Sequence, residues 1–164
     1  MELLIEHFRT EDWDQVNKIF IQGIETGNST FTKVPPSQEE WESTYVLESC
    51  IVARINNEVV GWVAIKPVSN RPVFVGVAEV SVYIRKGFRG NSIGKRLLSS
   101  VIDWSEANGY WTIQSNIFPE NISSIKLHKS LGFKEVGVRE KIGQMDGRWR
   151  DIILLDRRSN KVGV

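Results

Sequence analysis

Apolar and polar residues alternate in some stretches of this chain and recur at three- and four-residue intervals in others, so the two periods divide it into strands and helices. Residues 2–8 read as a strand. Thr10-Glu-Asp-Trp13 can cap a helix running to about Thr26, with Trp13, Val16, Ile19, Phe20 and Ile24 on one face. Gly27-Asn28-Ser29-Thr30 ends that helix, and Val34-Pro35-Pro36 forbids another until Ser37. There Ser37-Gln-Glu-Glu40 forms a capping box for a short helix to about Val46. Strands at 50–55 and 59–66 make a hairpin across Asn56-Asn57. A polar, proline-containing loop (67–73) leads into a long strand, 74–85. Ile93, Leu97, Leu98, Val101 and Ile102 keep a 3.6-residue period on a helix from Ser92 to Ala107, which Asn108-Gly109 stops. A strand at 110–117, a helix at 121–131 closed by Gly132, and strands at 133–143 and 149–157 complete the order. No repeat and no long linker divides the chain, so residues 1–164 are expected to form one domain.

The most specific local signal is Tyr83-Ile-Arg-Lys-Gly-Phe-Arg-Gly-Asn-Ser-Ile-Gly-Lys-Arg-Leu-Leu98, where a β-branched strand enters a basic turn from which an amphipathic helix opens. The first turn of a helix leaves backbone N–H groups unpaired and carries the positive end of the macrodipole. Gly90 and Gly94 allow close approach of a ligand, and Arg85, Lys86, Arg89, Lys95 and Arg96 add cations, so a pyrophosphate group is the expected guest. A P-loop is excluded because only three residues separate Gly90 from Gly94 and Arg96 stands where the magnesium-binding hydroxyl belongs. A dinucleotide fingerprint is excluded because the turn lies mid-chain rather than after the first strand of a βαβ unit. The spacing Arg/Gln-x-x-Gly-x-Gly does fit, through Arg89, Ile93 and Gly94, with Ser92 in place of the first glycine. In this the segment resembles the coenzyme A pyrophosphate turn of the GCN5-related N-acetyltransferase (GNAT) superfamily. The element order also matches that fold. The resemblance implies an α/β (α+β) architecture: a central mixed, largely antiparallel sheet of about seven strands, splayed at the fourth and fifth, with about four flanking helices.

Composition narrows the partners. Hydrophobic residues are 41% and charged residues 25%, as in a soluble globular chain. A net charge of +1 makes the cations at 85–96 a local patch and argues against nucleic acid as a partner. Cys50 is the only cysteine, so no internal disulfide or multi-cysteine zinc site is possible, and no metal is expected. No apolar run approaches the roughly 20 residues of a membrane span, and the N-terminus lacks a signal peptide's basic and apolar regions. No membrane association and a cytoplasmic location are therefore expected.

With acetyl-CoA as the implied co-substrate, acetyl transfer to an amine needs a group to take the amine's proton, a donor for the developing oxyanion, and a proton for the thiolate. Along Val77-Ala-Glu79-Val-Ser81-Val-Tyr83-Ile the even positions are apolar, leaving Glu79, Ser81 and Tyr83 on the other face. Glu79 precedes the turn by a distance that suits the acetyl end of the cofactor and is the expected general base; a paired structural carboxylate is the alternative. Main-chain groups of Val82, Tyr83 and Ile84 suit the pantetheine arm. Main-chain N–H groups from Arg89 through Gly90, Asn91, Ser92, Ile93 and Gly94 to Lys95 suit the pyrophosphate. In Asn121-Ile-Ser-Ser124-Ile-Lys-Leu-His128, Asn121 can cap its helix and, with Ser124, face the cofactor. Many GNAT enzymes place a tyrosine near the cofactor sulfur where this chain has His128. The resemblance thus implies thiolate protonation or substrate contact for His128, against a hydrogen-bonded core histidine.

The segments Ile24–Phe31, Pro36–Trp41, Ala78–Ile84, Asn121 with His128, and Gly147-Arg-Trp149-Arg-Asp151 together look like the phosphinothricin acetyltransferase group. That group acetylates the α-amino group of phosphinothricin, methionine sulfoximine or methionine sulfone. The resemblance implies a homodimer, with Trp149 near the pocket and the dimer contact. Such substrates are anionic, so a cation is needed, and Arg71 is the expected clamp, with Phe31 as an apolar wall. The alternatives are acetylation of a protein N-terminus or lysine on the same fold, and a coenzyme A-binding module without turnover.

Overall fold

The computed structural model describes residues 2–164. Seven strands, β1 (Leu3–His7), β2 (Ile51–Ile55), β3 (Glu58–Pro67), β4 (Val77–Ile84), β5 (Thr112–Ile117), β6 (Lys134–Met145) and β7 (Arg148–Arg158), form one sheet in the order β1-β2-β3-β4-β5-β7-β6. Four helices, α1 (Trp13–Glu25), α2 (Gln38–Thr44), α3 (Ile93–Ala107) and α4 (Ile122–Ser130), flank it.

Every strand pair is antiparallel except β4–β5, which run parallel and pair only where Val77–Glu79 lie beside Thr112–Gln114. Beyond Glu79, β4 stays on β3 as far as Ile84, while β5 stays on β7. The sheet therefore opens into a wedge after Glu79, and the β5-facing edge of β4 has lost its ladder partner there.

The sheet is covered on both faces. Leu97, Leu98 and Val101 of α3 pack with Val63, Ile65, Ala78 and Val80 in one core. Val16, Ile19 and Phe20 of α1 pack with Trp41, Val52, Trp62 and Ala64 in the other. β3 supplies both cores by alternation, which is why its sequence reads as an almost unbroken apolar run.

Local chemistry agrees with the pattern in most places. The Ser37–Glu40 capping box forms in both directions. Asn56 and Asn57 take the left-handed backbone that a two-residue hairpin requires (φ 50° and 67°). Three expectations are corrected. Thr10-Glu-Asp is a 3-10 turn rather than a helix cap, because the Asp12 carboxylate bonds the Arg9 N–H and the guanidinium of Arg54 on β2, all at 3.0 Å. The second helix stops at Thr44, because the Val46 N–H bonds the Ile65 carbonyl at 2.9 Å and draws the chain onto β3. The long strand starts at Val77, since Pro72–Phe74 form a 3-10 turn with proline in its first turn. In addition, β6 extends to Met145 and turns tightly at Asp146-Gly147, both with positive φ.

Candidate active site

Two cavities occupy the wedge between β4 and β5. The first, of about 530 Å³, is headed by the turn between β4 and α3. Of the expected cofactor contacts, Val82, Tyr83, Ile84, Arg89, Gly90, Ser92, Ile93, Gly94, Lys95, Asn121 and Ser124 line it. Asn91 does not; its side chain turns back to the Phe88 carbonyl (3.3 Å). Among the expected cations only Arg89 and Lys95 reach this groove. Arg85 is paired with Glu58 at 2.9 Å, and Arg96 approaches the Leu3 carbonyl at 3.4 Å.

The turn's backbone is bent for its place. Gly90 has φ +84° and Ser92, just before α3, has φ 61°. These left-handed residues bring the first-turn N–H groups of Ile93, Gly94 and Lys95, which have no intrahelical acceptor, to the groove. Asn121 caps α4 as expected, its Oδ1 accepting from the Ser124 N–H at 3.4 Å.

The second cavity, of about 410 Å³, shares Ser29, Val82, Tyr83, Asn121 and Ser124 with the first, so the groove leads into it. Its floor is the outward face of β4: Glu79, Ser81 and Tyr83. The Glu79 side chain is 21% exposed and its Oε2 lies 3.3 Å from Nζ of Lys66, directly across β3. Asn116 of β5 donates its side-chain N–H to Glu79 Oε1. Tyr45 donates to Ser81 Oγ at 3.0 Å, and burial pushes its phenol up to about 12, so it remains a donor throughout the neutral range.

The Tyr83 ring lines the cavity but is held by packing. It stacks on Trp62 at 5.1 Å, and burial pushes its phenol up as well.

His128 is 1% exposed, with its ring edge-on to Phe133. Its Nδ1 donates to the Ser124 carbonyl at 2.7 Å, and its buried Nε2 has no partner among the described residues. Burial lowers its pKa, which the bond to Ser124 offsets only in part. The ring is therefore neutral with its proton on Nδ1, and Nε2 is an acceptor.

The segment 27–36 closes one side of the second cavity through Ser29, Thr30, Phe31 and Thr32. Phe31 meets Phe118 edge-on at 4.9 Å, and a Cβ on Gly143 would lie 2.7 Å from its ring, so this wall exists because position 143 is glycine. Arg150, 8% exposed, ties the same segment to the sheet. Its guanidinium bonds the Gly27 carbonyl (2.9 Å) and Asn28 Oδ1 (2.8 Å) while lying 4.1 Å over the Phe118 ring.

The loop at 67–73 lines neither cavity. Arg71 stands exposed there, stacked on Phe74 at 5.5 Å, and Trp149 is 59% exposed on β7. The structure brings Phe31 to the cavity but not these two. Lys66, Asn116, Arg139 and Arg150 were not foreseen. Lys66, Asn116 and Arg139 line the second cavity and Arg150 braces its wall; each is placed by strand pairing, which no local pattern in the sequence announces. Among the described residues no group of histidine, cysteine, aspartate and glutamate could hold a metal ion, and no helix is long and apolar enough to cross a membrane.

A turn with free N–H groups, a splayed sheet edge and a carboxylate at its apex lie together in this wedge. The acetyltransferase (GNAT) family matches residues 8–133, and the chain belongs to that family; it is an N-acetyltransferase. A phosphinothricin N-acetyltransferase of Alcaligenes faecalis is 28% identical over 158 residues, 93% of this chain and 80% of that protein. An L-methionine sulfoximine/L-methionine sulfone acetyltransferase of Pseudomonas paraeruginosa is 38% identical over 82 residues, 50% of this chain and 48% of that one. The crystal structure of a GNAT superfamily phosphinothricin acetyltransferase from Sinorhizobium meliloti, in complex with AcCoA, matches with a TM-score of 0.89 and 26% identity. That match covers 99% of this chain and 91% of the other.

Proposed function

We propose that this protein uses acetyl-CoA to acetylate the α-amino group of a small L-amino acid or analogue, with phosphinothricin, methionine sulfoximine and methionine sulfone as the first acceptors to test. The observation that carries this reading is the continuity of the two cavities, with Glu79 in the one next to the phosphate turn.

The residues of the first cavity fit the cofactor. Arg89, Lys95 and the N–H groups at the start of α3 match a pyrophosphate, and the unpaired edge of β4 matches an amide arm. Bound there, the cofactor supplies an activated acetyl thioester. Glu79 takes the proton from the attacking nitrogen as the C–N bond forms and the C–S bond breaks; the departing thiolate takes up a proton. Lys66 and Asn116 hold the Glu79 carboxylate in place. His128, bearing no proton on Nε2, is given substrate contact rather than thiolate protonation. Phe31 packs beside the carbon chain of the acceptor. A homodimer is the proposed assembly, because β6 is an unpaired sheet edge on which Val136 and Val138 are 57% and 50% exposed.

The test is thiol release with a panel of amino acids, their amides and short peptides. Cys50 adds no background, since it is fully buried and its thiol is pushed far up by burial. Turnover of free amino acids supports the reading. Turnover of peptides alone would move the function to a protein amine.

A further inference from the structure

We propose that Arg139 is the residue that selects an acceptor carrying an anionic group, carboxylate or oxyanion, close to its amine. The proposal rests on the reading of the second cavity as the acceptor site.

It follows from the charge that the cavity leaves uncompensated. The ionisable side chains lining it are Tyr45, Lys66, Glu79, Tyr83, His128 and Arg139. Lys66 and Glu79 pair and cancel. Both phenols and the imidazole are neutral near pH 7. Arg139 has no ion pair and no side-chain hydrogen bond among the described residues, so the net charge of the cavity resides on its guanidinium. The reactive acceptor is an unprotonated amine. A simple amine in that form is neutral and leaves Arg139 unmatched, whereas an amino acid in that form carries the complementary negative charge.

Backbone geometry supports the same assignment. Arg139 pairs with Ile152 across β6–β7, and Ile152 is buried against Phe118 and also lines the cavity. Cross-strand partners share a face, so Arg139 is on the cavity side of the sheet. Beyond it the register shifts between Arg139 and Gly143. Lys141 adopts φ 47°, and its N–H is held by Asp151 Oδ1 at 2.8 Å. A bulge of this kind re-aims side chains, and here Arg139 and Ile142 on either side of it both line the cavity. As an exposed residue lining the cavity, Arg139 belongs to its rim, where a planar guanidinium can meet a carboxylate, phosphinate or sulfonyl oxygen at two points.

The experiment compares L-methionine sulfone with its carboxamide in the wild type, Arg139→Gln, Arg139→Lys and Arg71→Gln. The expected result is a wild-type preference for the acid that falls roughly 10- to 100-fold in kcat/KM in Arg139→Gln, carried mainly by KM. Arg139→Lys should recover part of it. Calorimetric binding of methionine sulfone in the presence of coenzyme A should weaken by a similar factor in Arg139→Gln, while coenzyme A binding itself stays put. An undiminished acid preference in folded Arg139→Gln overturns the proposal. So does a preference lost in Arg71→Gln and kept in Arg139→Gln. In both cases the acetyl-transfer reading stands. Binding of methionine sulfone that depends on Arg139, with no turnover of any amino acid, supports Arg139 as the anion site and sinks the proposed reaction.

Discussion

The imidazole Nδ1 of His128 donates to the carbonyl oxygen of Ser124, one turn earlier on α4, at 2.7 Å. That bond fixes the tautomer, and burial holds the ring neutral, below its ordinary value of 6.5. The unfolded chain takes up a proton at this histidine as the pH falls through about 6.5, and the folded chain only at lower pH. The contribution of His128 to stability is therefore present above that pH and lost on acidification below it. His128→Gln should flatten this dependence. Urea midpoints at about pH 5 and about pH 7 should differ less in the variant than in the wild type, and an unchanged difference would place the titration elsewhere.

Glu79→Gln keeps an acceptor for Asn116 and loses the proton acceptor. We expect kcat to fall by about 10²–10⁴ with coenzyme A affinity little changed. Steady-state kinetics, beside calorimetry with coenzyme A, measure both. Wild-type turnover in the folded variant would assign the base to another group.

Ser92 and Gly90 should respond with opposite signs. A side chain in the left-handed region costs roughly 1–2 kcal/mol, and glycine's extra flexibility in the unfolded chain costs about 0.5–1 kcal/mol. Ser92→Gly, at φ 61°, should thus be neutral or stabilising by up to about 1 kcal/mol and should retain coenzyme affinity, since the N–H remains. Gly90→Ala, at φ +84°, should destabilise. Denaturant unfolding of both variants gives the signs directly.

Arg150→Leu removes the bonds that hold Gly27 and Asn28 and leaves the Gly27 carbonyl without that partner. A stability loss of about 1–3 kcal/mol is expected. Because the same segment carries Phe31, the KM for the acceptor should rise more than the KM for acetyl-CoA. Equal changes in the two would show that Arg150 does not position the acceptor wall.

Hydrophobic period, caps and turns are local properties of the chain, and most of them were legible in it. The alternation in β4 placed Glu79, Ser81 and Tyr83 on one face, the Ser37–Glu40 box opened α2, and the Gly- and Arg-bearing turn marked the start of α3 at the head of the first cavity. All three depend on residues a few positions apart, whose geometry follows from backbone sterics and helix-end donors. Register and splay are properties of two strands at once. The sequence could not say that Lys66 faces Glu79 across β3, or that Asn116 reaches it from β5. Nor could it say that a bulge in β6 carries Arg139 to the cavity while Arg71 stacks on Phe74 outside it. Those placements depend on where β4 and β5 part and how β6 slips against β7. Both are decided by packing against cores far away along the chain, so only the tertiary structure brings these residues together.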